Sequence, residues 1–207
     1  MKEYTMKFLN AVMAGVFIGL GAVTCLLVPN RMVGNLFFAT GIFLVVNFQN
    51  MLFTRVVPLA ALDGSFSVPD CAVTYFGNLV GTILCALGVS GTRLAPALAE
   101  KVRAVVLPKL EDGFVSLLLM GVFCALLVGY AVLCCGRYER GSFGQIFYVW
   151  LFITAFVFCG FDHIVANFFY FRFTACSLAL PPRCCCQRVP LRWATCWAAR
   201  LLALWTG

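Results

Sequence analysis

The chain holds a single histidine, His163, in the run Gly160-Phe161-Asp162-His163-Ile164-Val165-Ala166-Asn167, which interrupts a stretch that otherwise reads as a membrane helix. An ionisable side chain at bilayer depth is expensive, so it is read there as a functional group. Asp162 beside it could orient the interruption by accepting backbone N–H bonds, or stand as a surface acid at a break. A second polar interruption, Gln49-Asn50, lies in an earlier apolar stretch. The bland reading of both is polar groups satisfied by neighbouring helices. Twelve cysteines offer the other available chemistry. Cys184-Cys185-Cys186 with Cys176 and Cys196 could ligate zinc or form disulfides, but no CxxC pairing occurs and the histidine lies elsewhere. The remaining cysteines read as small apolar residues in membrane helices. No metal site and no cofactor is expected.

The elements that must position these groups are membrane spans. With 63% hydrophobic residues, 21 Phe and only 11% charged residues, the chain carries too much apolar surface for a soluble domain of 207 residues. Stretches long enough to cross about 30 Å of hydrocarbon are predicted over residues 8–28, 33–62, 68–89, 114–135 and 143–173. The segment before the first span is polar and no cleavable signal is predicted, so that span stays as an anchor. Residues 93–112 form the one long charged connection, carrying a short surface helix over 95–106. The second span is broken at Gln49-Asn50 and the fifth at Cys159-Gly160. Broken helices are tolerated at membrane depth only where protein or an aqueous cavity covers the freed backbone. Two of them three spans apart suit inverted repeats enclosing a midplane transport site. Gly15 and Gly19, with Gly77 and Gly81, are small residues at four-residue spacing that permit close helix approach.

At the two breaks the motifs become specific. The run Gly160 to Asn167 resembles the Gly-Phe-Glu-His-Ser-x-Ala-Asn signature of the formate/nitrite transporter family, with Asp for Glu and Ile for Ser. Leu52-Phe53-Thr54 resembles that family's Glu-Leu-Phe-Thr loop, and Tyr75-Phe76-Gly77-Asn78-Leu79-Val80-Gly81 its third span. The resemblance covers residues 8–173. It implies an all-α integral membrane protein with an aquaporin-like inverted-repeat bundle of five to six transmembrane helices, spans two and five broken. It also implies a multi-pass protein of the cell membrane with a cytoplasmic N-terminus, a homopentamer with one pore per protomer, and passage of formate, nitrite, lactate or hydrosulfide. Partners are then small anions, the lipid bilayer and further copies of the chain, with no nucleic acid and no enzymatic activity.

Carried over position by position, His163 matches the central pore histidine, Thr54 the loop threonine facing it, and Lys109 a vestibule lysine that attracts anions. Phe38 and Phe156 fall at the aromatic constrictions, with Ile42 and Val128 completing the apolar rings, and Asn167 closes the histidine motif. The alternatives are lipid-facing or core packing for the four apolar residues and a solvated loop charge for Lys109. Two departures stand out: Met51 replaces the loop's acidic residue, and Ala125 replaces a pore asparagine of some relatives. Fewer polar groups are therefore expected to hold the first loop.

Solvation explains why such a constellation would serve an anion. A bare anion costs several kcal/mol to move from water into an apolar constriction, whereas its neutral acid costs far less. A cation at the mouth would concentrate the anion. Two mechanisms fit: His163 transiently protonates the substrate, or the ring stays neutral and only donates a hydrogen bond. The expected function is a pH-dependent channel for small monovalent anions or their weak acids. A membrane enzyme or thiol-redox protein would need a charged constellation or paired cysteines that the chain does not offer.

Residues 1–175 are thus assigned to the membrane domain and 176–207 to an aberrant tail. The resemblance calls for a sixth span containing Gly-Asn-x-x-Gly-Gly. The tail instead carries Arg183, Arg188, Arg192 and Arg200, with three of the four Trp. Because Trp is TGG and Ala begins GC, the Trp193/Ala194 and Trp197/Ala198 junctions read two bases later must both give Gly. That accommodates the missing motif and points to a frameshift or truncation before span six, leaving a non-functional product as the competing reading. Loop charges do not fix orientation, since Lys2, Lys7, Arg137 and Arg140 face Arg31, Arg93, Lys101, Arg103 and Lys109 across the membrane.

Overall fold

A computed structural model describes residues 2–62, 64–139 and 141–179. Among these the chain is all helical: α1 Lys2–Leu27, α2 Arg31–Asn47, α3 Phe53–Leu62, α4 Val68–Ser90, α5 Ala95–Glu111, α6 Phe114–Cys135, α7 Phe143–Cys159 and α8 Ile164–Ala179. Helices α1, α4 and α6 are each long and apolar enough to cross a membrane, and α7 with α8 forms a fourth candidate span bent by 51°. The first helix starts at Lys2 rather than near Phe8, because its opening turns are polar yet held by Lys7, which pairs with Glu3 at 2.8 Å and Asp70 at 2.9 Å. Asp70 also closes a capping box with Ser67 that fixes the start of α4.

The glycines noted in the sequence sit where α1 and α4 cross. A Cβ on Gly81 would strike the Val12 carbonyl, and one on Gly15 the Asn78 carbonyl. One on Gly77 would come within 2.5 Å of the Ala11 Cβ. A second crossing, α1 on α2, rests on Gly21 against Gly41, where a Cβ at Gly41 would meet the Phe17 carbonyl at 2.5 Å. Close approach of this kind maximises van der Waals contact where no hydrophobic drive separates helix from lipid.

The α2–α3 break follows from local chemistry. Gln49 adopts φ 54°, a left-handed conformation unusual for a non-glycine residue. The Asn50 N–H returns to the Val45 carbonyl at 2.9 Å and stops the helix. In the α7–α8 break, Gly160 takes the left-handed conformation at φ 74°. The Phe161 N–H reaches the Phe156 carbonyl at 3.1 Å in a Schellman-type end.

Two expectations need correction. Residues 93–112 are not a charged connection with a short surface helix: α5 runs on to Glu111 and buries Ala95, Leu98, Val102 and Val106, packing on α8 and α1. Its helical stripe was diluted in the sequence by the charges of the opposite face. The fifth span extends as helix to Ala179 rather than ending at Phe173. The expected tail lies, from residue 180 onward, outside the described residues.

The halves are related as inverted copies, with α1, α2 and α3 answered by α6, α7 and α8. α3 packs on α6 as α8 packs on α1, while α2 and α7 face each other across the centre. Among the described residues α1 has a further helix along its flank, α4, and α6 does not. The apolar window of α1 is 44% buried against 17% for α6.

Candidate functional site

The two breaks bring Thr54 and His163 together. Thr54 stands in the first turn of α3 and His163 immediately before α8, with Oγ1 and Nε2 3.1 Å apart. The His163 ring caps its own helix: Nδ1 accepts the Ala166 N–H at 3.2 Å. An imidazole nitrogen that accepts an amide N–H carries no proton, so in the neutral ring the proton lies on Nε2 and points at Thr54. The threonine oxygen accepts it and retains its own O–H to donate. His163 is 2% exposed.

Aromatic rings enclose this pair. Phe156 stacks on His163 with centroids 5.7 Å apart and planes inclined by 23°. Phe38 meets Phe156 edge to face, also at 5.7 Å. Phe38, Ile42, Val128 and Phe156 are all buried, so none of the four faces lipid.

Lys109, Asp162 and Asn167 form a second cluster. Lys109, in the last turn of α5, pairs with the Asp162 carboxylate, which also accepts the Asn167 side-chain amide at 3.2 Å. Asp162 is therefore held by side chains and is no exposed surface acid, its side chain being only 10% exposed. Nor is Lys109 a solvated loop charge, at 15%. The pair ties α5 to the residue next to His163.

Groups without an assigned role hold the first break. Asn78 of α4 accepts the Phe53 N–H at 2.8 Å on Oδ1. Its Nδ2 donates to the carbonyls of Ala11 at 2.8 Å and Met51 at 2.9 Å. Asn10 of α1 accepts the Met51 N–H at 2.5 Å. Arg55, one residue past Thr54, donates to the Asn50 carbonyl at 3.3 Å and Gln49 Oε1 at 2.8 Å. The loop expected to be weakly held for want of an acid at position 51 is thus fixed by amides and a guanidinium. Buried polar residues in mid-span were the available signal for Asn78. Arg55 was hidden by its place in an apolar run.

Two broken helices meeting head to head, their ends closed on a buried histidine and threonine, define the fold class of an inverted-repeat membrane protein. A sequence model of the formate/nitrite transporter family matches residues 2–207. The chain belongs to the formate/nitrite transporter family and is a multi-pass protein of the cell membrane.

Among similar proteins, the uncharacterized transporter YrhG of Bacillus subtilis (strain 168) is 33% identical over 152 residues, 68% of this chain and 56% of the relative. The nitrite transporter NirC of Salmonella typhimurium (strain LT2) is 28% identical over 179 residues, 77% of this chain and 65% of NirC. The chain thus spans less than two thirds of either relative. A pentameric formate channel solved with formate bound is similar at a TM-score of 0.72 and 26% identity, covering 86% of this chain and 76% of that one. An ion channel of the same family gives 0.69 and 26%, covering 82% and 74%.

Proposed function

We propose that this protein assembles as a homopentamer in which each protomer passes small monovalent anions or their weak acids, formate and nitrite among them, in a pH-dependent manner. The observation that carries this reading is the Thr54–His163 hydrogen bond, 3.1 Å long, at the meeting of the two breaks behind the Phe38–Phe156 pair. The aromatic pair, with Ile42 and Val128, strips water from the permeant species, which favours the less costly neutral acid. The Thr54 O–H and the polarised imidazole then offer donors within an apolar passage. Because Nδ1 accepts the Ala166 N–H and carries no proton, a proton that Nε2 passes to the anion must be replaced on Nε2 from the aqueous side in the same step; otherwise the ring stays neutral and donates only a hydrogen bond. The Lys109–Asp162–Asn167 cluster orients the loop bearing His163.

Reconstitution into vesicles tests this: formate and nitrite flux should appear and rise as pH falls. If His163→Asn leaves both the rate and its pH dependence unchanged, the role given to His163 is wrong. The tail sequence, with Arg183, Arg188, Arg192 and Arg200 where the family's sixth span is expected, favours a second reading. In it, residues 176–207 are read out of frame and the product neither closes nor assembles. Pentamers in detergent support the channel, monomers the second reading, and resequencing tests the shifted frame directly.

A further inference from the structure

The face of α2 that carries Phe38 and Ile42 begins one turn earlier with Asn35. Positions 35, 38 and 42 follow the three- and four-residue spacing that puts side chains on one side of a helix, and all three are buried, Asn35 being 4% exposed. Among the described residues its Oδ1 accepts only the weak donor Cys25 Sγ, at 3.7 Å, and its Nδ2 has no partner. Tyr170, on α8 and seven residues beyond His163, is buried as well, and α8 packs on α1. The end of α1 and the start of α2 therefore meet at one polar spot, one turn from Phe38 towards the start of α2.

A buried amide donor without an acceptor costs about 1–3 kcal/mol, so its retention on this face calls for an acceptor that comes and goes. The geometry points to Asn35 as a binding residue for the permeant species: its Nδ2–H donates to a carboxylate or nitrite oxygen beside the Phe38–Phe156 constriction. This deepens the channel reading and rests on it. A neutral donor suits the task because conduction needs a site strong enough to attract the ion and weak enough to release it. It also favours an anion over a cation of the same size without adding a fixed charge.

The experiment measures formate influx against formate concentration in vesicles containing the full chain, for the wild type and for Asn35→Asp, Asn35→Leu and Asn35→Ser. Asn35→Asp preserves shape but replaces the donor with an acceptor, and Asn35→Leu preserves bulk and removes both. Each should raise the half-saturating formate concentration about tenfold, with maximal flux less affected. Asn35→Ser, which keeps a donor, should stay within about threefold of the wild type. An Asn35→Leu protein with a higher melting temperature and an unchanged half-saturation shows the amide to be a buried defect and overturns the inference. Wild-type flux with no change in any variant does the same while leaving the channel intact. Absence of flux from wild-type pentamers overturns both.

Discussion

Of the two ring nitrogens of His163, Nδ1 is engaged by a backbone amide and Nε2 by Thr54, so replacing the threonine isolates one end of the ring. Thr54→Val keeps the shape and removes the acceptor, leaving a buried N–H unpaired at a cost of about 1–3 kcal/mol. The expected results are a lower melting temperature and formate flux reduced about tenfold. Thr54→Ser, which restores the oxygen, should recover most of both, and unchanged flux in the valine variant would remove Thr54 from the passage. That His163 lies at depth was legible from its place in an apolar stretch, and its pairing with Thr54 came only from the motif resemblance. The tautomer was not legible, because it depends on the Ala166 N–H falling under the ring, a matter of helix geometry. Asn78 was equally hidden: its place in a span was plain, but its three backbone partners lie on α1, in the α2–α3 break and at the start of α3.

At the scale of elements, α5 is fixed to the second break by the Lys109–Asp162 pair. Lys109→Met leaves a largely buried carboxylate without its cation. Removing one partner of such a pair costs about 2–4 kcal/mol, somewhat below the fully buried case because both side chains keep some solvent. Adding Asp162→Asn should restore much of the loss, and the double-mutant cycle read by thermal melting measures the coupling. Additive effects would show that α5 is held by its apolar face alone. The α1–α4 crossing makes a sharper case. Gly81→Ala would drive a Cβ into the Val12 carbonyl, whereas a Cβ at Gly88 meets nothing within 4 Å. Gly81→Ala should destabilise by about 1–3 kcal/mol, as overpacking does, and Gly88→Ala should be neutral; equal melting temperatures would mean that the helices separate freely. Spans and glycine faces could be read from composition and spacing. The depth of α5 could not, since a helix with one apolar stripe and one charged face reads alike on a surface and in a groove.

For the whole molecule, composition and the two polar breaks were enough to indicate an inverted repeat, but not how unequally its described helices are buried. Among the described residues α1 is flanked by α4 along its length, while α6 leaves Leu118, Val122, Phe123, Leu126 and Tyr130 exposed. A helix with few buried contacts opens locally at lower free energy. Native cysteines report on this, since Cys124 on α6 and Cys85 on α4 are 1% and 7% exposed. In vesicles, with the other cysteines replaced by alanine, a membrane-permeant thiol reagent should label both slowly at low temperature. On mild heating Cys124 should react well before Cys85, although Cys124 is the more buried in the static structure. That inversion is the signature of an α6 held from one side. Equal labelling would instead mean that the free face of α6 is covered in the assembled protein, by a neighbouring protomer or by a further helix of the same chain. It would also dispose of the reading in which the product fails to assemble.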